Sequence, residues 1–195
     1  MGLLDVMFGR KRLKGPATQE RLFALATAQV TLDVELGLQP GGRAAVCFKP
    51  LSAGEFARAD EDIQQLLAVV AQSAGTTLRR ESDALGYEWA VLEDADVEDL
   101  VTGAHTLADE LKSRGFGDRL LAAMFRFERG AEGARRPVYL IYGFKTGTWW
   151  PFIPAAEGER KRDNAEELAL KAQLEKELPI EPDLSKWLAL YDAPV

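Results

Sequence analysis

The chain has little of several residue types on which familiar chemistry depends. Cysteine occurs once, at Cys47, and histidine occurs once, at His105. One cysteine excludes a disulfide within the chain and a zinc cluster of several thiolates, which favours a reducing compartment such as the cytosol. A lone histidine leaves any metal site to carboxylates alone. No apolar run reaches the roughly 18 residues that a membrane-spanning helix requires.

Motifs of common hydrolases and nucleotide-binding enzymes are also missing. Lys145-Thr146-Gly147 has the form of the third motif of serine β-lactamases, but no serine is followed three residues later by the lysine that this chemistry needs. The stretch "GFGDR" lacks the third glycine of a dinucleotide-binding loop. We interpret Cys47 as a buried thiol in a strand and His105 as an ordinary helix residue, and leave their pairing open. We therefore expect no enzyme activity, no cofactor and no metal.

Charge is unevenly distributed along the chain. The formal net charge is −7, but residues 1–15 contain four cations and a single acid, Asp5. The rest of the chain is therefore strongly acidic and is repelled by phosphate backbones, which argues against nucleic acid as a partner.

The first 14 residues combine an apolar tip with a basic collar. The cations follow the apolar residues, which is the reverse of a secretory signal, so we expect a cytoplasmic protein. Such a segment suits weak, reversible contact with an anionic membrane surface or with a partner, and docking of the tip on the body is the alternative. The contact candidates are Leu3, Leu4, Met7, Phe8, Arg10, Lys11, Arg12 and Lys14.

Residues 15–195 have the pattern of a single α+β domain. A helix capped by Thr18 is followed by hairpins predicted at Pro40-Gly41-Gly42, near Ala84–Gly86 and across 130–134, and by amphipathic helices at 52–75 and 97–114. Because paired strands alternate with single helices, we expect an antiparallel sheet of successive β-hairpins with the helices packed mainly on one face.

Aromatic residues and prolines are concentrated in residues 149–154. Trp149, Trp150 and Phe152 are interrupted by prolines, which we expect to prevent regular strand pairing. The rings either pack into the core or form a contact surface for a partner. A cap formed by Asp163 and Glu166 predicts a helix from about Asn164 to Leu178. An extended proline-containing segment and a short helix with Trp187, Leu190 and Tyr191 follow, and we expect these C-terminal helices, within 164–191, to pack on the domain.

Several stretches together resemble the PspAB family of PspA-associated proteins. They are "MGLLDVMFGR", "VCFKP", "GFGDRLLAAMFRF", "YLIYGFKTGTWWPFIP" and "RDNAEELALKAQLEKELPIEPDLSKWLALY", in this order along the chain. The resemblance implies an accessory of the phage-shock system, in which PspA coats stressed cytoplasmic membrane. It implies no catalytic residues.

The leading hypothesis is a non-enzymatic adaptor that binds PspA or another envelope-stress protein at the inner face of the cytoplasmic membrane. One alternative is a small-molecule-binding or catalytic domain with a pocket near Lys145, Trp149 and Trp150. Another is a module that holds a partner helix in a groove on the sheet, as secretion chaperones do.

Overall fold

The computed structural model describes residues 15–49, 65, 76–131, 134–156 and 160–195. Its helices are α1 (Gly15–Val34), α2 (Val97–Ser113) and α3 (Asn164–Leu174), and its strands are β1 (Leu38–Phe48), β2 (Thr77–Ser82), β3 (Glu88–Glu93), β4 (Leu120–Arg129), β5 (Arg136–Gly143) and β6 (Thr148–Phe152). Short 3-10 helices lie at Gly117–Arg119 and Leu184–Lys186. The predicted helix at 52–75 and the segment 1–14 lie outside the described residues, apart from Gln65. Within the described ranges, no helix is long and apolar enough to cross a bilayer.

The six strands form one antiparallel sheet in the order β2-β3-β1-β4-β5-β6. Its register aligns Val91, Ala45, Met124, Ile141 and Trp150 in a row across five strands. Because alternate residues of a strand point to opposite faces, this register divides the buried side chains into two separate clusters. The predicted α+β class is confirmed, as are the hairpins β2–β3 and β4–β5.

The hairpin predicted at Pro40-Gly41-Gly42 is wrong, because β1 runs through these residues as a single bulged strand. Pro40 pairs with Phe127 and Ala44 with Phe125, so β1 uses two more residues than β4 over the same stretch. A Cβ on Gly41 would lie 2.6 Å from Cγ of Arg126, and Gly42 has a φ of +69°. The glycines therefore allow a bulge and a close approach to β4.

The prolines of residues 149–154 do not prevent pairing, contrary to the prediction, because β6 is an edge strand. Trp149 donates its backbone N–H to the carbonyl of Pro179 and accepts from the N–H of Glu181, on the side away from β5. Pro151 follows two residues later and faces the same way, so its missing N–H is not needed by the ladder with β5.

The helices cover one face of the sheet, as expected, and we call it the helix-covered face. α1 begins at Gly15, earlier than the predicted cap at Thr18, and extends to Val34. Asp96 caps α2 by accepting from the N–H of Glu98, and Asp163 caps α3 in the same way from Glu166. Each helix contributes leucines to the larger core cluster, including Leu25, Leu107 and Leu170.

The opposite face is covered by residues 179–195, which we call the C-terminal tail. α3 ends at Leu174, earlier than the predicted Leu178, and in place of the short helix expected at Trp187–Tyr191 the tail contains a 3-10 helix at Leu184–Lys186. Trp187 and Val195 of the tail pack into the second cluster. The tail therefore lies where a partner helix would bind in a chaperone-like groove.

Candidate functional site

The side chains on the tail-covered face are large toward the edges of the sheet and small near its centre. Trp89 of β3 and Trp150 of β6 are buried there, whereas Ala45 and Ala122 of the central strands provide little volume. The tail packs over this face and is hydrogen-bonded to Trp150. This combination leaves a space between the sheet and the tail.

Hydrogen bonds from aromatic and arginine side chains hold the tail in place. Trp150 Nε1 donates to the carbonyl of Leu188 at 3.0 Å, and Trp187 Nε1 donates to the carbonyl of Glu181 at 2.9 Å. Arg162 Nη1 donates to the carbonyl of Trp187 at 2.8 Å. These bonds satisfy backbone groups that no sheet or helix ladder uses, so the tail is an ordered wall.

The space is a cavity of about 530 Å³. Residues lining it include Cys47, Trp89, Ala122 and Trp150 of the sheet, Asp83, Leu85, Lys145 and Thr146 of two turns, and Glu181, Lys186, Leu188 and Tyr191 of the tail. Its volume lies within the range of about 300–1,000 Å³ that is typical of small-molecule sites. The lining is mainly apolar, and its ionisable groups are confined to a few positions.

The acidic groups around the cavity have partners within the protein. Asp83 accepts from Trp89 Nε1 at 3.0 Å and from two backbone N–H groups, which lower the pKa of its carboxyl against the opposing effect of desolvation. Glu181 accepts from Thr148 Oγ1 at 2.9 Å and lies 3.5 Å from Lys186 Nζ. Asp192 is paired with Arg160. Among the described residues, Lys145 is the cation of the lining that has no ion-pair partner.

Cys47 is part of the cavity floor and is buried, as expected. Desolvation, with a smaller contribution from the negative charge of Asp83, raises the pKa of its thiol from 9.0 to about 12. The thiolate fraction near neutral pH is therefore reduced by about three orders of magnitude. Cys47 faces the cavity, while His105 belongs to α2 on the helix-covered face, so the two do not form a pair.

We predict that Cys47 resists alkylation in the native protein. At about pH 8, iodoacetamide is expected to label it at least a hundredfold more slowly than in urea-unfolded chains, because labelling requires the thiolate and access to it. Mass spectrometry of the intact chain measures the rate. Since no other residue is a cysteine, a single added group reports this site, and equal native and unfolded rates would contradict its burial.

The three aromatic candidates are buried and divided between the two faces. Trp149 packs into the core on the helix-covered face, where its Nε1 donates to the carbonyl of Arg21 at 2.8 Å. Trp150 and Phe152 lie in the cluster on the tail-covered face. The rings therefore pack into the core and do not form an exposed contact surface. Of the suggested pocket near Lys145, Trp149 and Trp150, the structure brings Lys145 and Trp150 together at the cavity and places Trp149 on the opposite face.

His105, the other residue considered for catalysis or metal binding, makes structural contacts. His105 packs edge-on against Phe23 and lies 3.3 Å from Asp109. No group of three or more potential metal ligands occurs within the described residues. The contact candidates of residues 1–14 lie outside that part of the chain.

A second cavity, of about 650 Å³, is lined partly by arginines and shares Leu190, Tyr191 and Asp192 with the first. Arg126 is paired with Glu128, Arg136 with Glu166, and Arg160 with Asp192. The neighbouring acids therefore neutralise much of its positive charge. Only a pocket near Lys145 and Trp150 was predicted from the sequence; the second cavity and the shape of the first were not, because both depend on the position of the tail.

The whole chain, residues 1–195, matches a protein-family model named PspAB, which is described as PspA associated protein B. No curated protein and no solved structure matches the chain.

Proposed function

Because the chain belongs to the PspAB family, PspA associated protein B, over its full length, we propose that it is a non-enzymatic accessory protein that binds PspA or a related membrane-stress protein. The family match is the observation that carries this proposal. It links the chain to PspA by association, and the match covers the apolar and basic segment as well as the folded domain.

The environment of the reactive side chains supports a non-enzymatic role. The Cys47 thiol has a raised pKa and is therefore a poor nucleophile at neutral pH. His105, the histidine that would have to act as its base, lies on the other side of the sheet. The acids around the cavity accept hydrogen bonds from the protein itself, as the bonds to Asp83 and Glu181 show.

Residues 1–14 supply the proposed contact with the partner or with the inner face of the cytoplasmic membrane. Their cations precede a chain that is otherwise acidic, so this segment is where an anionic surface attracts the protein most strongly. The rings of Trp149, Trp150 and Phe152 are buried and are not part of the proposed contact.

We predict that the purified full chain retains PspA in a pull-down and that deletion of residues 1–14 weakens retention at least fivefold. Two further variants separate the causes. One replaces the cations Arg10, Lys11, Arg12 and Lys14 with glutamine, and the other replaces the apolar residues Leu3, Leu4, Met7 and Phe8 with serine. If charge contributes to the contact, PspA binding should lose its dependence on salt concentration in the glutamine variant and keep it in the serine variant.

The control carries glutamine at Lys176, an exposed cation after α3, and should bind like the unmodified chain. Binding that is unchanged by the deletion would assign the contact to the folded domain instead of residues 1–14. Failure of both forms to bind PspA, together with no association with anionic liposomes, would overturn the proposal.

Small-molecule binding is a second candidate function, and the cavity of about 530 Å³ between sheet and tail is the observation that favours it. It is compatible with an accessory role, since a bound molecule would contact the tail directly. Binding of a small molecule to the purified chain, tested as described below, distinguishes this function from adaptor activity alone.

A further inference from the structure

The cavity between the sheet and the tail offers an apolar ligand a large contact surface. At about 30 Å³ for each water-sized group, a volume of 530 Å³ accommodates roughly 18 such groups. Trp89 and Trp150 provide flat apolar walls, and Cys47, an uncharged thiol, lies among the sheet residues of the lining. These dimensions suit a single alkyl chain.

The lining also contains two leucines that are unusually exposed. Leu85, at the tip of the β2–β3 turn, is 71% exposed, and Leu188 of the tail is 59% exposed. A ligand that covers large apolar side chains exposed beside an apolar cavity binds more favourably, because their surface is removed from water. The two residues come from separate parts of the chain, so a ligand that contacts both would join the hairpin to the tail.

Among the charged groups of the described lining, three carboxylates and two lysines, Lys145 is the position suited to an anionic headgroup. Asp83 and Asp192 are occupied by donors of the protein, and Glu181 is bonded to Thr148 and lies beside Lys186. Lys145, on the exposed β5–β6 turn, has no ion-pair partner within the described part of the chain. An anionic group beside Lys145 would gain a charge-assisted contact without displacing an existing one.

We infer that the cavity binds a single-chain anionic amphiphile, with its alkyl chain against Trp89 and Trp150 and its carboxylate or phosphate headgroup beside Lys145. Because the cavity volume is about that of one long alkyl chain, the ligand class is a free fatty acid or a lysolipid rather than a diacyl lipid. This inference does not depend on PspA binding, because the purified chain is sufficient to test it.

The test is a fluorescence titration of the purified full chain with terminally brominated dodecanoate below its micelle concentration. Bromine quenches tryptophan at short range, and Trp89 and Trp150 line the cavity. We expect saturable quenching that unbrominated dodecanoate competes away. Brominated dodecyl phosphate, titrated in parallel, tells whether a carboxylate or a phosphate is preferred, and stronger binding of either than of dodecyltrimethylammonium supports the inference.

Variants distinguish the cavity from non-specific adsorption. Lys145→Gln is expected to weaken binding about three- to fivefold, as for an exposed ion pair, and Leu188→Ser about fivefold through lost apolar contact. The matched controls are Lys176→Gln and Leu168→Ser, which alter an exposed cation and an exposed leucine away from the cavity. They should bind like the unmodified chain.

Ala122→Phe adds a large ring to the cavity floor and is expected to reduce affinity at least tenfold. Circular dichroism checks that each variant is folded, and the conclusion stands on Lys145→Gln and Leu188→Ser if Ala122→Phe does not fold. Equal binding of anionic and cationic amphiphiles, or affinities unchanged by both Lys145→Gln and Leu188→Ser, would overturn the inference. Association with phosphatidylglycerol vesicles without binding of dodecanoate would also overturn it, since it would indicate a membrane surface contact instead.

Discussion

Replacing Arg162 with methionine is expected to lower the free energy of unfolding by about 3–5 kcal/mol at neutral pH. Arg162 Nε donates to both carboxylate oxygens of Glu167, at 3.0 and 2.8 Å, and the Glu167 side chain is only 2% exposed. The same arginine donates to the carbonyl of Trp187 and lies over the ring of Phe152. Its removal therefore leaves a buried carboxylate without a countercharge and loosens the tail.

The loss of unfolding free energy in Arg162→Met should be smaller at acidic pH than at neutral pH. Burial is the largest influence on Glu167 and raises the pKa of its carboxyl above 4.5, against the hydrogen bonds from Arg162 and the N–H of Ile153. Without Arg162 the folded-state pKa rises further, so the folded variant binds this proton more tightly than the unfolded chain does. The penalty is then full above the folded-state pKa and fades as pH falls toward 4.5.

Urea unfolding at neutral and at mildly acidic pH measures this effect. The matched control is Arg136→Met, whose partner Glu166 is the neighbour of Glu167 in sequence but belongs to a more exposed pair, so its loss should stay below about 1 kcal/mol. The double variant Arg162→Met, Glu167→Leu should recover much of the stability. A loss that is equally large in the double variant would show that packing, and not the unpaired charge, is responsible.

Replacing Trp149 with alanine is expected to cost about 3–5 kcal/mol, the usual range for a large buried aromatic. Trp149 has no exposed surface, contacts Phe125 and Tyr142, and donates its Nε1 to the carbonyl of Arg21. It thereby joins β6 to α1, while its backbone bonds to Pro179 and Glu181. The substitution leaves a cavity and removes the side-chain hydrogen bond that links β6 to α1.

Because a loss of this size is a large part of the stability of a typical domain, Trp149→Phe provides the quantitative measurement. It removes the hydrogen bond and part of the volume, and we expect about 1–3 kcal/mol by circular dichroism during urea unfolding. Trp150→Phe is the matched control. It should cost less, because the indole of Trp150 borders a cavity on one side. Equal losses at the two positions would contradict the division of these rings between a filled core and a cavity wall.

The elements that were predicted from sequence are those with local signals. α2 has a cap at Asp96, regular apolar spacing and Gly115 with a φ of +86° after its end, so neighbouring residues define both its limits. The hairpins β2–β3 and β4–β5 likewise join strands that are adjacent in sequence. Such elements need no knowledge of distant contacts.

The errors occur where a distant partner decides the structure. Pro40-Gly41-Gly42 suits a turn, but strand pairing with β4 on one side converts it to a bulge. Pro151 suits a break in a strand, but at the edge of a sheet its missing N–H has no cost. The cavity was also beyond prediction in shape, because its outer wall is a tail whose position depends on side-chain bonds such as that from Trp150 to Leu188.

The edge strand β6 has a consequence for recognition by other proteins. Of its outward backbone groups, those of Trp149 are bonded to residues 179 and 181 and Pro151 has no N–H to donate, while beyond the strand Ile153 accepts from the N–H of Asp163. A partner that extends a sheet needs free backbone donors and acceptors along an edge. A partner therefore cannot add a strand along β6, and a protein that binds here has to recognise side chains. For the same reason, two copies of this chain cannot join their sheets at this edge.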